Sequence, residues 1–392
     1  GDGYLDLYIA RYVTNEPPMA CSTGAGEIDY CGPKTYRAVA DQLWRNLGDG
    51  RFADIGAQSG ITSSPRNGLG VVCFDFNGDA RPDFLVANDG EHNQLWINDG
   101  SGGFEDRGVA MGVAVNILGE TEASMGIALG DIDNDGAADV LMTNLDGETN
   151  TFYRGSDDHV LMDMTGAAGL GARSQPFTGF GVEFLDVDLD GDLDVAIANG
   201  RVRRGAAGVF DGAAAESHAD RFRRLYAEPN QIMENAGDGT FLDGCSNAGD
   251  FCAALAVSRG LLAGDIDNDG DLDILVTNAN GPVSLFRNDT MRLGNWLIVR
   301  AMLSPLNRDA VGAMVRVRVG DRWLQRPVMH TRSYLVSGDA SVHYGLGAAS
   351  RVDEMVVTWP DGTEERFPGV DSNQRLTLRR GEGRTATADD RS

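Results

Sequence analysis

The chain has 392 residues, 52 of them glycine, and a formal net charge of -26, enough length for one large ring plus a small domain or for two or three ordinary domains. Residues 291–392 hold 15 Arg against 12 Asp or Glu, whereas the preceding 290 residues hold 18 basic against 47 acidic groups. The polyanionic first part excludes nucleic acid as a partner, because phosphates would be repelled, and no apolar run approaches the ~18 residues that a membrane-spanning helix needs.

In chain order, the sequence opens on Asp2-Gly3-Tyr4-Leu5-Asp6, the tail of an aspartate-rich loop. The natural N-terminus, and with it a signal peptide, is therefore expected upstream. Cys21 and Cys31 flank a Gly- and Ser-containing loop, and Cys245 and Cys252 flank a second. Close pairs of this kind favour two disulfides and an oxidising compartment, secreted or periplasmic; four free thiols are the alternative. Cys73, inside Val71-Val72-Cys73-Phe74, reads as a buried core residue.

The loop then repeats in full. Its copies are Asp75-Phe-Asn77-Gly-Asp79-Ala80-Arg-Pro-Asp83, then Asp131-Ile-Asp133-Asn-Asp135-Gly136-Ala-Ala-Asp139. Asp186-Val-Asp188-Leu-Asp190-Gly191-Asp-Leu-Asp194 and Asp265-Ile-Asp267-Asn-Asp269-Gly270-Asp-Leu-Asp273 follow. Each is trailed by a second pattern ending in Gly-x-Gly-x-Phe, as at Asp41–Asn46 with Gly48–Phe52, Asn93–Asn98 with Gly100–Phe104, and Asn230–Asn235 with Gly237–Phe241. Short apolar or β-branched runs surround the loops, with strand lengths and Gly or Asp boundaries. Each unit thus supplies about four strands, and the predicted fold is all-β: five visible blades of a β-propeller over residues 1–290.

Calcium takes six to eight oxygen ligands in a flexible shell. Carboxylates at loop positions 1, 3 and 5 can curl around such an ion, a glycine at position 6 permits the turn, and the aspartate at position 9 closes the site. The predicted ligands are Asp2 and Asp6; Asp75, Asn77, Asp79 and Asp83; Asp131, Asp133, Asp135 and Asp139; Asp186, Asp188, Asp190 and Asp194; and Asp265, Asp267, Asp269 and Asp273. About four to five Ca²⁺ ions are expected, with the Asn77/Ala80 copy the weakest.

Two long stretches interrupt the blades, Arg11–Ala40 and Gly200–Pro229. Both follow the second strand of their blade, whereas the aspartate loops follow the first, so both insertions should stand on the face opposite the loops. The second carries a basic patch of Arg201, Arg203, Arg204, Arg221, Arg223 and Arg224, of which Arg221, Arg223 and Arg224 are candidate contacts for an acidic glycan or protein; a flexible arm pairing with the acidic ring is the alternative. No nucleophile elbow, zinc-protease helix, Walker loop or dinucleotide fingerprint occurs, and the five histidines have no ligand spacing. The sequence is therefore read as an extracellular binding, scaffold or adhesion-type module, with no catalytic residue assigned. A propeller lyase or glycosidase acting on polysaccharide is the alternative, for which Glu91, Glu183 or Glu234 would have to converge on one cavity.

In residues 291–381 the run Met314-Val-Arg-Val-Arg-Val319 alternates strictly, as a half-buried antiparallel strand does. Trp296–Ala301, Met355–Trp359 and Gln374–Leu378 are further strands, and a β-sandwich follows. Its arginines read as a solvated face, with a patch facing the acidic ring as the alternative. Residues 382–392 hold nothing apolar enough to anchor them and are expected to be a disordered tail.

The loops with their flanking strands resemble FG-GAP and VCBS repeats. Asn295-Trp296-Leu297, Val311-Gly312-Ala313, Tyr334-Leu335-Val336-Ser337, His343–Gly347 and Trp359-Pro360-Asp361-Gly362 together resemble the ASPIC/UnbV domain. The segment Tyr30-Cys31-Gly32-Pro33 is similar to the first-blade insert of cartilage acidic protein-like members. The resemblance implies calcium binding, an extracellular or periplasmic setting and a seven-bladed ring, so one or two blades are expected upstream unless the ring is open.

Overall fold

The computed structural model describes residues 3–16, 19–22, 26, 28–204, 217–290, 294–306 and 308–385. Five consecutive antiparallel sheets make the blades. Three have four strands in sequence order. In the second blade these are Gly68–Phe74, Asp83–Asn88, Gln94–Asn98 and Phe104–Asp106. The third has Ile127–Gly130, Asp139–Met142, Thr151–Arg154 and Met162–Asp163, and the fourth Gly179–Leu185, Asp194–Asn199, Gln231–Asn235 and Phe241–Asp243. The first sheet, Leu7–Ile9 with Gln42–Asn46 and Phe52–Asp54, has three described strands. So has the fifth, Ser258–Gly264 with Asp273–Asn278 and Ser284–Phe286, because the chain then leaves for the C-terminal sheets.

The blades hold together through separate apolar layers, one per junction. Leu85, Ile127, Val140 and Tyr153 fill the space between the second and third, and Leu141, Val182, Val195 and Phe241 that between the third and fourth. Along the axis the first strands of neighbouring blades come so close that only a glycine fits. A Cβ on Gly70 would strike the Met125 carbonyl, and one on Gly126 the Phe180 carbonyl. A Cβ on Gly181 would meet the backbone nitrogen of Leu261.

The C-terminal part is a sandwich of two sheets. Asn295–Leu303 lies between Val342–Gly347, antiparallel, and Gln374–Arg379, parallel, and is also paired with Arg308–Asp309. The second sheet runs Arg322–Pro327, Met314–Val319, Arg351–Thr358, Glu364–Asp371 and Arg384–Thr385. Val315 and Val317 point into a core with Leu297, Val299, Tyr344 and Trp359, as the alternation requires. The tail expectation changes here. Arg384–Thr385 pairs with Glu365–Arg366, since backbone pairing needs no apolar side chain; residues 386–392 lie outside the described residues.

The arginines of the sandwich divide into two sets. Arg316 and Arg318 pair with Glu364 and Glu354 of their own sheet. Arg322 and Arg375 instead cross to the propeller, reaching Asp192 and Asp265 at 2.6 Å each, and Arg326 lies buried at Gly191. Those residues form a patch facing the acidic ring, not a solvated face. Gly345 N donates to Asp186 Oδ2 at 3.1 Å, and Trp296 stacks where any side chain at Gly270 would collide.

A short hairpin, Thr331–Arg332 with Val336–Ser337, leaves the sandwich and enters the space where the first strands converge. Ser333 exchanges both backbone hydrogen bonds with Ile127, and its Oγ accepts from Val182 N. Arg332 pairs with buried Glu183 at 2.8 Å, and Tyr334 meets the Phe180 ring edge-on at 4.9 Å.

Gly345 tests this contact. A Cβ there would overlap Asp186 Oδ2 and the Leu189 backbone, so Gly345→Ala should cost about 1–3 kcal/mol by overpacking. The expected result is a lower denaturant midpoint for the variant with an unchanged far-UV spectrum.

Candidate functional site

The four complete aspartate loops share one hydrogen-bonded plan. The first aspartate accepts from the backbone N–H groups of positions 5 and 6: Asp131 from Asp135 and Gly136, Asp186 from Asp190 and Gly191, Asp265 from Asp269 and Gly270. The ninth aspartate accepts from position 2 and from the end of the third strand, as Asp194 does from Val187 at 3.0 Å and Asn235 at 2.8 Å. Asp6 does the same for Asn46 in the first blade; Asp2 lies outside the described residues. Position 6 has φ of 96°, 99° and 101° at Gly136, Gly191 and Gly270, a region that only glycine enters freely.

Three loops bring carboxylate oxygens within 4.8 Å of one another: Asp131, Asp133 and Asp139; Asp186, Asp188 and Asp194; Asp265, Asp267 and Asp269. Of the predicted ligands in these loops, Asp135, Asp190 and Asp273 stand outside the three sets. The second loop is not among these groups. Ala80 holds φ at 62° in place of a glycine, Asn77 donates to Asp79 at 2.7 Å, and Arg81 ion-pairs with Asp79.

Burial of the converging carboxylates is unfavourable for their charged forms. Burial, then neighbouring aspartates, raises Asp194 from 3.8 to about 8 and Asp139 to about 7. Asp186 rises to about 7 by burial, against the opposing pull of Arg326. Hard oxygen donors, convergent and disfavoured as bare anions, suit a divalent cation of the calcium type.

The opposite face is built by the two insertions. Cys21–Cys31 and Cys245–Cys252 are both disulfides, and Cys73 is a free thiol pushed up to about 12 by burial. The first insertion meets the second directly. Asp29 accepts from Tyr226 Oη at 2.8 Å and from Arg204 N at 3.0 Å, and the Tyr30 and Tyr226 rings lie 5.8 Å apart. Helix His218–Tyr226, capped by the Ser217 hydroxyl, stands in the second insertion with Arg221, Arg223 and Arg224 exposed. Residues 205–216 of that insertion lie outside the described residues.

Between the insertions and the axis opens a cavity of about 740 Å³. Its basic side chains are Lys34, Arg201, Arg203 and Arg259, and its acidic ones Asp89 and Glu148. The expected contacts Arg221, Arg223 and Arg224 do not line it. Arg201 and Arg203 belong to the run Arg201-Val-Arg203-Arg204 of the second insertion, whereas Lys34 and Arg259 stand far from it in sequence.

Two family models match parts of the chain. Residues 1–86 and 75–142 match the model described as FG-GAP-like repeat, and residues 304–385 match that described as ASPIC and UnbV. This is an FG-GAP-repeat chain with an ASPIC/UnbV domain. Cartilage acidic protein 1 of Xenopus tropicalis is 25% identical over 372 residues, covering 92% of this chain and 50% of that protein. The Mus musculus protein is likewise 25% identical, over 371 residues, with the same coverage. The chain therefore spans about half the length of the curated relatives it matches. Among solved structures, an Agrocybe aegerita lectin that recognises non-reducing terminal N-acetylglucosamine aligns over 86% of this chain and 88% of its own. The identity there is 15% and the TM-score 0.38. The Dos1 propeller aligns over 92% and 74%, with 7% identity and a TM-score of 0.31.

Within the FG-GAP blades, the carboxylates considered for catalysis go to different places. Glu183 is buried at the axis on Arg332, and Glu234 accepts from Asn247 within its own blade. Glu91 follows the second strand of its blade, at the other end of the ring. His343 of the ASPIC/UnbV domain lies at the boundary with the propeller, its Nε2 donating to the Gly270 carbonyl at 2.9 Å. Burial lowers it from 6.5 to about 4.

A pH test follows from these groups. A carboxyl raised on folding stabilises the folded state at low pH, and that contribution is lost as pH rises through its folded value. His343, lowered on folding, acts oppositely but only below 6.5. In excess chelator the melting temperature should therefore fall between pH 6.5 and 8, the range of Asp139, Asp186 and Asp194. Asp194→Asn should flatten that slope in a series of thermal melts.

Proposed function

We propose that this chain is a secreted or periplasmic, calcium-stabilised binding module of the scaffold or adhesion type, not an enzyme. Residues 1–290 form its propeller and residues 291–381 its ASPIC/UnbV unit. The observation that carries this reading is the division of labour between the two faces. One face holds the aspartate loops and is covered by the sandwich; the other presents two disulfide-supported or helical insertions around an open cavity. Long loops on a rigid scaffold are where recognition concentrates. The partner is an extracellular protein or an acidic glycan, met by the insertion face and by Arg221, Arg223 and Arg224 on its exposed helix.

Calcium would be held by the loops of Asp131, Asp186 and Asp265, with the Asp75 and Asp6 loops as weaker positions. Bound there, it supplies charge neutralisation and a cross-link. The residues themselves set the frame: positions 1 and 9 fix the backbone, and Asp186 joins that frame to Gly345 of the sandwich. Support for the extracellular setting comes from the two disulfides and from relatives named cartilage acidic protein 1.

Three loops of affinity near 10⁻⁴ M would add about 4 kcal/mol at about 1 mM calcium. Excess chelator should lower the melting temperature strongly at neutral pH, and Asp188→Ala should reproduce about a third of the loss. An unchanged melt in chelator would refute calcium stabilisation. For recognition, replacing Arg221, Arg223 and Arg224 with Ala should weaken partner binding and reduce its salt dependence without altering the calcium-dependent melt. Turnover of a polysaccharide would refute the binding-module reading.

A further inference from the structure

The cavity between the insertions has features that a general reading of the insertion face leaves unused. It sits in a 290-residue region with 47 acidic and 18 basic groups, yet four basic side chains line it against two acidic ones. The two acids are already engaged. Asp89 accepts from Tyr12 Oη at 2.6 Å, and Glu148 Oε2 accepts from Ala123 N at 3.0 Å and from Leu145 N. Of the bases, Arg201 is tied to Glu228 at 2.8 Å, and Arg259 donates to the Gly200, Ser258 and Arg201 carbonyls while lying 4.0 Å over the Phe180 ring. Lys34 and Arg203 remain as exposed cations, near enough to Asp89 to oppose the rise that burial imposes on it.

The walls are aromatic. Tyr12, Tyr30, Phe222 and Tyr334 come from four separate segments. Tyr30, 64% exposed, stands at the end of a ring cluster in which Tyr226 packs 5.8 Å from Tyr30 and 4.9 Å from Phe222. Tyr334 is the tip residue of the axial hairpin, so the ASPIC/UnbV domain reaches through the ring to supply part of a wall on its far side. That tip is strained: Ser333 and Leu335 flank Tyr334 at φ of 62° and 53°, and Leu335 is 81% exposed. Strain of about 1–3 kcal/mol per residue is held only where the surroundings enforce it, and it concentrates at ligand sites.

Building on the binding-module reading, we propose that this cavity binds an acidic sugar residue of a glycan chain, its ring against the tyrosines and its anion at Lys34 and Arg203. Flat aromatic faces match the C–H face of a pyranose, and the volume is within the ~300–1,000 Å³ of small-ligand sites. The exposed cations select a carboxylate or sulfate, and the four basic side chains outnumber the two acids, which are turned to internal donors. Tyr334 makes the site a joint product of both parts of the chain.

The test uses the intact protein in calcium and a panel of uronate, sulfated and sialylated oligosaccharides, each beside a neutral counterpart of equal length. At least one acidic member should bind, at least tenfold tighter than its neutral counterpart and more weakly as salt rises. Arg203→Glu and Tyr30→Ala should each weaken that binding at least tenfold with the melting temperature retained; Tyr334→Ala should weaken it as much with a lower melting temperature, because it also loses the Phe180 ring; and Arg51→Ala, far from the cavity, should do neither. Equal binding of neutral sugars, or wild-type binding by Arg203→Glu and Tyr334→Ala, overturns the proposal. So does failure of every acidic member to bind. If a partner protein is then held through the insertion face, the acidic sugar is refuted while the binding-module reading stands; if neither binds, both fall.

Discussion

The carboxylate at the ninth position of each loop is the constraint on which the rest of the molecule depends. One of its oxygens takes a backbone N–H from the start of the loop and the other takes one from the end of the third strand, as Asp83, Asp139, Asp194 and Asp273 all do. Charge-assisted hydrogen bonds of this kind are roughly twice as strong as neutral ones. They lock the loop to a strand two positions away in the sheet, so loop shape and strand register cannot vary separately. The price is several buried negative charges close together, answered by backbone N–H donors within the loops and by arginine from the sandwich.

That second answer organises the domain boundary. Arg322, Arg326 and Arg375 meet the backbone or carboxylates of loops in the fourth and fifth blades, and Gln325 reaches the Gly136 carbonyl of the third at 2.7 Å. Arg326 is buried, so losing its acceptors would leave an uncompensated charge inside the boundary, whereas Arg322 and Arg375 are half-exposed and their pairs are partly screened. Three arginines of the last hundred residues are thus turned toward the aspartate loops that precede them.

Much of the fold was legible because it is periodic. Aspartates at positions 1, 3, 5 and 9, with alternation such as that of Met314–Val319, announce loops and strands locally, and Ala80 in place of a glycine marks the odd loop. Pairing of Cys21 with Cys31 could be read from their spacing within one loop. What could not be read are contacts between distant segments. Arg322 and Arg375 look like any solvated arginines until Asp192 and Asp265 are placed opposite them. The hairpin around Ser333 has no periodic signature, since its partners Ile127 and Val182 belong to other sheets. The cavity's Lys34 and Arg259 stand far in sequence from Arg201 and Arg203, whose run, like that of Arg221, Arg223 and Arg224, shows as adjacent arginines.

The hairpin also dictates an order of assembly. Its contacts to Val182 and Glu183 span 151 and 149 residues of chain, and they lie on the axis, where every blade's first strand is exposed until they form. Non-local pairing of this kind is slow because the loop-closure entropy is lost before the contact is gained. The blades can pair their own strands as they emerge, each sheet being local, but the axis stays open until residues 331–337 are available. A fold of this design is therefore finished from its middle after its blades have formed, and until then the open inner edges of the first strands are the segments most exposed to aggregation. A chain cut before residue 331 would retain its blades yet leave Ile127 and Glu183 facing an empty core.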